Sequence, residues 1–187
     1  MKKKFIGVIG IVIAVIVGGI YYLTREEKIE LSLKNKKEII VEYGNTVHYS
    51  FDDLIQTKDI DKDKLKEIKK ETKITDNLKN EDQKDYPAIG NYTINIKYQD
   101  QKLKKKVIVK DTTAPVFNEI NEVSFEEGTE NYDFNQEIKA IDLSNIDLQY
   151  DLSSLDINKA GDYQIKVFAK DSSGNQAKKE ITVHVKE

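Results

Sequence analysis

Two eight-residue stretches, 89–96 (IGNYTINI) and 160–167 (AGDYQIKV), share one pattern. In each stretch a Gly is followed two residues later by a Tyr, and apolar residues then alternate with polar ones. This period of two is typical of a strand with one buried face. A turn and a second alternating segment follow each stretch and end near residue 109 and residue 185. The pattern predicts a hairpin that closes each half of the chain.

The Gly-x-Tyr element can be interpreted in two ways. The Gly can relieve a bend where a side chain would crowd the backbone. The Tyr hydroxyl can then reach backbone at the end of the sheet, similar to the tyrosine corner of immunoglobulin (Ig)-type folds. Alternatively, the element is a simple turn followed by a good strand former. The sequence leaves both interpretations open.

A Gly also precedes an aromatic segment in each half, and its spacing to the Gly-x-Tyr element measures the repeat. Gly44 and Gly90 are 46 positions apart, and Gly128 and Gly161 are 33 apart, so the first half carries 13 extra residues. A repeat of this size fits a small sandwich domain. About seven short strands separated by turns favour an Ig-like sandwich. We therefore expect an all-β chain with two tandem Ig-like β-sandwiches.

The extra residues fit the charged stretch 58–85, which holds nine Lys and nine Asp or Glu. Leu65 and Ile68 have helical spacing, whereas Ile68 and Ile74 would share a strand face, so periodicity does not separate the two structures. We expect exposed edge strands and loops, which charge keeps from pairing with other chains. A partner-binding insertion is the alternative.

The second half carries an ordered set of short motifs. They are DTTAP at 111–115, Gly128, AID at 140–142, GDY at 161–163 and AKDSSGN at 169–175. Together they resemble the bacterial Ig-like domains found in tandem on surface proteins of Gram-positive bacteria. The resemblance covers residues 111–187 and is weaker over 29–110. It implies a spacer, adhesion or envelope-interaction role, without catalysis.

The segment from Phe5 to Leu23 has nineteen uncharged residues behind three lysines. As a helix it would reach roughly 28 Å, close to the thickness of a bilayer core. The preceding lysines predict an N-terminus in the cytoplasm and domains outside the cell. The expected organisation is a cytoplasmic tail (1–4), a transmembrane helix acting as signal anchor (5–23), a juxtamembrane linker (24–28), Ig-like domain 1 with its charged insertion (29–110), a linker (111–115) and Ig-like domain 2 (116–187). A cleaved signal peptide, which would give a secreted protein, is the alternative.

Composition and motifs argue against several kinds of chemistry. The net charge of −3 gives no basis for nucleic-acid binding, and the absence of Cys excludes disulfides and thiolate metal sites. Val47, Tyr49 and Phe51 alternate with polar residues and predict a strand with His48 on its polar face. His184 is expected on a polar face in the same way.

Acidic residues in the second half prompt one question about metals. Oxygen-rich turns around Asp142, Asp147, Asp151 and Asp171 could hold Ca²⁺, but Asp is also an ordinary turn residue. The sequence therefore assigns no metal, cofactor or catalytic residue, and its ligand-binding residues are unknown.

The functional prediction is a non-catalytic, membrane-anchored extracellular protein. It would act as a binding or spacer module in the bacterial cell envelope, through contacts with an envelope or surface protein. A cell-wall carbohydrate-binding or adhesion module is the alternative, with a wall polymer as ligand. Localisation is expected at the cell membrane as a single-pass protein, with the membrane contacted through Phe5 to Leu23.

Overall fold

A computed structural model describes residues 11–16, 19–24 and 28–187, most of which form strands and loops. The first half contains β1 (Ile11–Ile16), β2 (Gly19–Thr24), β3 (Ile39–Glu42), α1 (Phe51–Leu54), α2 (Lys62–Glu71), β4 (Lys73–Asp76), β5 (Gly90–Tyr98) and β6 (Gln101–Lys110). The second half contains β7 (Val116–Phe117), β8 (Glu122–Glu126), a 3₁₀ turn (Phe134–Gln136), β9 (Ala140–Ile141), β10 (Ile146–Asp151), β11 (Gly161–Asp171) and β12 (Gln176–Lys186).

Two four-stranded sheets dominate the structure, and they have the same topology. The first has the order β3-β6-β5-β4 and the second the order β8-β12-β11-β10. The alternating stretches form the predicted antiparallel hairpins, and the structure places each hairpin at the centre of its sheet. The outer strands β3 and β8 run parallel to the second strands of the hairpins, β6 and β12. The opposite outer strands, β4 and β10, run antiparallel to the first strands of the hairpins, β5 and β11.

The first sheet packs its inner face against helices and an extended segment rather than against a second large sheet. Ile68 of α2 and Ile55 are both fully buried, and Leu54 of α1 is 2% exposed. Leu33 bridges Ile55, which ties the extended N-terminal segment to this layer. The remaining core residues are Leu31, Tyr92, Ile94, Ile96, Tyr98, Val107 and Val109.

The second sheet builds a separate core with an aromatic cluster at its side. The ring centroids of Phe125 and Tyr132 lie 4.6 Å apart, and those of Phe134 and Tyr150 lie 5.4 Å apart. The aliphatic core residues are Val123, Ile138, Ile165, Val167, Ile181, Val183 and Val185. All members of the two cores lie between residues 29 and 185, so the fragment 28–187 contains both of them.

Both Gly-x-Tyr elements form the tyrosine-corner hydrogen bond. The Tyr92 hydroxyl donates to the carbonyl of Ala88 over 2.8 Å, and the Tyr163 hydroxyl donates to the carbonyl of Lys159 over 2.9 Å. In each case the carbonyl that accepts the bond is four positions before the Tyr. A Cβ at Gly90 would lie 3.3 Å from the Tyr92 hydroxyl, so the Gly gives the Tyr side chain room. Of the two interpretations left open by the sequence, the tyrosine corner is confirmed.

The charged stretch 58–85 contains a helix that the sequence analysis did not predict. The side chain of Asp61 accepts hydrogen bonds from the backbone N–H groups of Asp63 and Lys64 and so caps the start of α2. Strand β4 follows directly and forms one edge of the first sheet, as expected. The helix is largely solvated and buries only Ile68 completely, which explains why its apolar period is weak.

The predicted strand around His48 is wrong, although its pattern of burial is right. Val47, Tyr49 and Phe51 are half-buried and His48 is exposed, but residues 45–50 pair with no strand in the described part of the chain. Instead the carboxylate of Asp53 accepts the Ser50 N–H over 2.8 Å and starts helix α1. The alternation therefore reflects side chains that pack against the core from a segment that is not hydrogen-bonded into a sheet.

The predicted transmembrane helix differs from the structure where the two can be compared. Within 5–23, β1 and β2 form an antiparallel pair, while residues 5–10 and 17–18 lie outside the described residues. The tail 1–4 and residues 25–27 of the predicted linker also lie outside them. The described residues contain no helix long and apolar enough to cross a membrane. Strand β1 is rich in β-branched Ile and Val, and β2 contains Tyr21 and Tyr22, all of which favour strands. Apolar character alone does not separate a strand from a helix.

Candidate interaction site at the junction of the two sheets

The linker 111–115 is fastened to the first sheet by one carboxylate at the end of β3. Glu42 accepts hydrogen bonds from the backbone N–H of Thr112 over 2.6 Å, from the Thr112 hydroxyl over 2.6 Å and from the Thr113 hydroxyl over 3.0 Å. These bonds, above all those from Thr112, hold the pKa of the Glu42 carboxyl below its usual range. The linker threonines are thus fixed against the preceding sheet.

The second half holds the same linker from the other side. The Ser144 hydroxyl donates to the side chain of Asp111, and the side-chain amide of Asn175 donates to the Asp111 carbonyl over 3.3 Å. Asn175 is itself oriented by Asp171, whose carboxylate accepts both its backbone N–H over 2.8 Å and its amide over 2.7 Å. The motifs DTTAP and DSSGN therefore meet at this junction.

Three carboxylates come together behind the linker. Asp111, Asp142 and Asp171 each offer an oxygen atom, and the three atoms lie within 4.8 Å of one another. Burial alone would raise the pKa of Asp171, but hydrogen bonds, chiefly from Asn175, outweigh it and hold the pKa below its usual range. Such a set of oxygens could hold a divalent cation. Because Asp111 and Asp171 already accept hydrogen bonds from protein donors, a cation would compete with them.

The structure brings together only part of the acidic set that the sequence singled out. Asp142 and Asp171 lie at the junction, whereas Asp147 and Asp151 lie on strand β10. There Asp147 accepts a hydrogen bond from the side chain of Gln149, and Asp151 accepts one from the Ser153 N–H. Asp111 belongs to the cluster but not to the acidic set that the sequence indicates. Its signal in the sequence is its place as the first residue of the DTTAP motif.

An exposed apolar surface lies over the junction, and we call Val116, Ile141 and Leu143 the junction patch. Their exposed fractions are 66%, 73% and 62%. Val116 and Ile141 are direct cross-strand neighbours on the short pair β7–β9. Leu143 reaches Gly44, where a Cβ would overlap the leucine and where the φ of +89° also favours glycine. A shallow cavity of about 270 Å³ beside the patch is also lined by Tyr43 and Ala114.

His184 lies on the polar face of β12, as predicted, whereas His48 lies in a segment that forms no strand. His48 is exposed, and its Nε2 lies 2.8 Å from the hydroxyl oxygen of Thr46. His184 lies between two carboxylates on neighbouring strands, with Nδ1 2.6 Å from Asp162 and Nε2 3.4 Å from Glu122. Its hydrogen bonds with Asp162 and Glu122 raise the pKa of His184 above its ordinary value.

The second half of the chain is similar to a domain of known bacterial surface proteins. Residues 115–185 match the model of the Internalin K domain (D3/D4), in agreement with the resemblance to bacterial Ig-like domains. This match includes all three residues of the junction patch. It covers less than half of the chain and does not extend to the first sheet.

One solved structure that matches the chain is that of human mucin-like protocadherin EC1-2. The identity is 13%, the match covers 83% of this chain and 98% of that chain, and the TM-score is 0.35. A likeness of this size supports no inference about function. No curated protein matches the chain.

Proposed function

We propose that this chain is a non-catalytic module of the bacterial cell surface that binds another protein through the junction patch. The patch carries the proposal because three large apolar side chains lie together with more than half of each exposed. Contiguous exposed apolar surface on a soluble domain typically marks a site of protein contact. The match to a domain of Internalin K is a second support.

A fixed linker makes the junction suitable for recognition. Glu42 holds it from one side, and Ser144 and Asn175 hold it from the other. Because the surface is ordered before a partner arrives, binding loses less conformational entropy than it would at a flexible hinge. Ig-like folds are typically scaffolds for such contacts rather than enzymes.

We further propose that 29–110 and 116–187 are two Ig-like units of one tandem repeat. The shared strand order, the shared tyrosine corner and the hairpin turns support this division. In the second unit Asn175 beside the β11–β12 turn holds the incoming chain at Asp111. In the first unit Gln101 beside the β5–β6 turn holds the incoming chain by donating to the Ile29 carbonyl over 2.7 Å.

We also propose that residues 5–23 anchor the protein in the cell membrane, with 1–4 in the cytoplasm. The support is the run of nineteen uncharged residues behind three lysines. Within a bilayer an isolated pair of strands leaves backbone N–H and C=O groups unpaired at both edges, whereas a helix pairs them internally. We therefore expect this segment to be helical in the membrane.

Photo-crosslinking at the junction patch tests the protein-binding proposal. A crosslinking residue at Ile141 on intact cells should capture one dominant surface or envelope protein. With that protein purified, Ile141→Ser and Val116→Ser in the fragment 28–187 should each weaken binding by roughly ten-fold, since each removes a large apolar side chain that the partner would bury. The matched control is Leu152→Ser, an apolar residue 39% exposed outside the patch. Equal affinity of the patch and control variants would refute the proposal.

A wall polymer is the competing ligand, and sedimentation separates the two. The fragment 28–187 is mixed with purified wall from which protein has been removed, and the pellet is assayed. We expect the fragment to stay in solution. Cosedimentation that Ile141→Ser abolishes would assign the junction patch to carbohydrate instead.

Single cysteines test the anchor, because the chain has no Cys of its own. On cells stripped of wall, a membrane-impermeant maleimide should label Glu187→Cys and leave Lys2→Cys unlabelled until the membrane is opened. The labelled protein should pellet with membranes. Labelling of Lys2→Cys on intact cells would contradict the orientation, and release of the protein into the medium would indicate a cleaved signal.

A further inference from the structure

Three lysines form a row across the outer face of the first sheet, at the end that carries the β5–β6 turn. Lys73 on β4 is paired with Lys97 on β5, and Lys97 is paired with Lys102 on β6. All three side chains are exposed. Like charges directly opposite each other destabilise a sheet, so this row is unfavourable for folding alone.

The next rows continue the same charge. Lys104 follows Lys102 on the outer face and lies in register with Asn95 and Thr75. A shallow depression of about 290 Å³ lies among these side chains and the lysine row. Lys106 forms an ion pair with Glu38 over 2.7 Å. Within the described residues, no ion pair involves the other four lysines, which we call the lysine face: Lys73, Lys97, Lys102 and Lys104.

The second sheet shows that the topology does not require such a row. At the corresponding end, Asp147, Lys170 and Gln176 are paired across three strands. Further along, Lys166 is paired with Asp151 and Glu180. Charges on that face alternate in sign, as is ordinary for a solvated sheet. The concentration of positive charge is therefore specific to the first unit.

The lysine face lies beside the point where the chain enters the first unit. Lys28 forms an ion pair with Asp100 in the β5–β6 turn over 2.7 Å, and the Leu31 N–H donates to the Gln101 side chain over 2.7 Å. Lys102 follows Asp100 by two residues, about 7 Å along the strand. Lys28 is five positions after Leu23, a span of at most about 17 Å. The β5–β6 turn, which is next to the lysine row, thus contacts a residue only a few positions after the apolar segment.

We propose that the lysine face docks onto the anionic phospholipid headgroups of the membrane that carries the protein. The choice of this particular membrane rests on the proposed anchor, whereas the affinity of the lysine face for anionic headgroups does not. The lysine row spans three neighbouring strands, so its ammonium groups can meet several headgroups at once, and phosphate groups complement exposed ammonium groups. Attraction to the surface falls off within about one Debye length, roughly 8 Å at physiological salt, so the face must lie close to the bilayer to be held. Docking orients the first unit on the membrane.

Vesicle binding by the fragment 28–187 tests this inference without the apolar segment, so its result does not depend on the anchor. The fragment is titrated with vesicles of phosphatidylcholine, and with vesicles containing about one-third phosphatidylglycerol. We expect binding to the anionic vesicles only, with loss when salt is raised from about 50 mM to about 500 mM. A fragment that ignores the anionic vesicles at low salt would overturn the inference.

Charge neutralisation locates the contact. K73Q/K97Q/K102Q should weaken binding about a hundred-fold, because each lysine near an anionic surface contributes roughly five-fold. The matched control K166Q/K170Q/K178Q removes three lysines from the second sheet and should bind within about three-fold of the original fragment. The first variant should also unfold at the same or higher urea, which separates lost binding from lost folding. Equal losses in both variants would show attraction to net charge and overturn the inference.

A soluble polyphosphate chain provides the last arm of the experiment. If the lysine face recognises a headgroup layer, polyphosphate at the same phosphate concentration should compete weakly, because one flexible chain must lose entropy to cover the face. Complete displacement from anionic vesicles by that concentration would overturn the inference and assign the face to an anionic polymer.

Discussion

Tyr92 and Tyr163 occupy equivalent positions, yet their hydroxyl groups differ in burial. Tyr92 is 9% exposed and donates to Ala88, whereas Tyr163 is more accessible to water. Tyr92→Phe should lower the free energy of unfolding by about 1 kcal/mol, because the carbonyl loses its donor in a largely dry site. Tyr163→Phe should cost less, because water can replace the hydroxyl. Urea unfolding of the fragment 28–187 measures both.

The control for this pair is Tyr98→Phe. The Tyr98 hydroxyl only accepts a weak 3.3 Å bond from the side chain of Gln99. Its removal should change the stability less than Tyr92→Phe does. If all three variants unfold at the same urea concentration, the corner hydrogen bonds contribute nothing beyond ring packing.

His184 should make the second sheet sensitive to pH. Asp162 on β11 and Glu122 on β8 flank its ring and raise its pKa in the folded protein above the unfolded value. A raised pKa means that protonation stabilises the fold. That contribution is complete below the unfolded pKa of about 6.5 and is lost as the pH rises through the folded pKa.

The measurement compares the original chain with His184→Gln by urea unfolding from about pH 5.5 to about pH 8.5. The stability difference should be largest at the acidic end and should shrink as the pH rises. A difference that is constant with pH would show that the histidine acts only through packing.

Among the elements, helix α2 shows how a charged segment can belong to a core. Ile68 is fully buried against the first sheet, whereas Leu65 in the same helix is only half-buried. Ile68→Ala should destabilise the first unit by about 2–5 kcal/mol, because it leaves a cavity that the surrounding strands cannot fill. Leu65→Ala is the control on the same helix and should cost clearly less. Equal costs would mean that α2 is not seated as described.

Element by element, the sequence predicts strands best where pairing and burial act together. The central hairpins have strict alternation and also pair on both sides, so a period of two identifies them. Residues 47–51 alternate in burial without a strand ladder, and the pattern alone cannot report the missing partner. Helix α2 buries too few residues to show a helical period, and its cap at Asp61 is the only strong local signal.

At the scale of the whole molecule, the candidate site arises from residues far apart in the chain. The motifs at 111–115, 140–142 and 171–175 could be recognised in the sequence, but not their meeting at one junction. Glu42 illustrates the limit, because it looks like one of many surface acids and yet fixes the linker through Thr112. The tertiary fold determines which residue a carboxylate contacts, and the local spacing of residues does not predict that contact.

If the linker is held from both sides, the two units should keep one relative orientation. Spin labels at Lys104→Cys and Lys178→Cys, one on each sheet, give a distance distribution by double electron–electron resonance, without interference from native cysteines. In the fragment 28–187 this distribution should be narrow. Glu42→Ala together with Leu143→Ala removes both the linker clamp and the contact with Gly44, and should broaden it while both cores remain folded.

The matched control is Glu38→Ala with Leu152→Ala, which removes the same two residue types away from the junction. Glu38 pairs with Lys106 on the first sheet, and Leu152 follows β10. This control should leave the distribution unchanged, since neither residue contacts the linker in the described hydrogen-bond network. A broad distribution in the unaltered fragment would contradict a fixed junction. The cavity beside the junction patch, which is lined by Tyr43 as well as by the patch, would then be completed only upon binding. Partner affinity should in that case rise when a crosslink locks the units together.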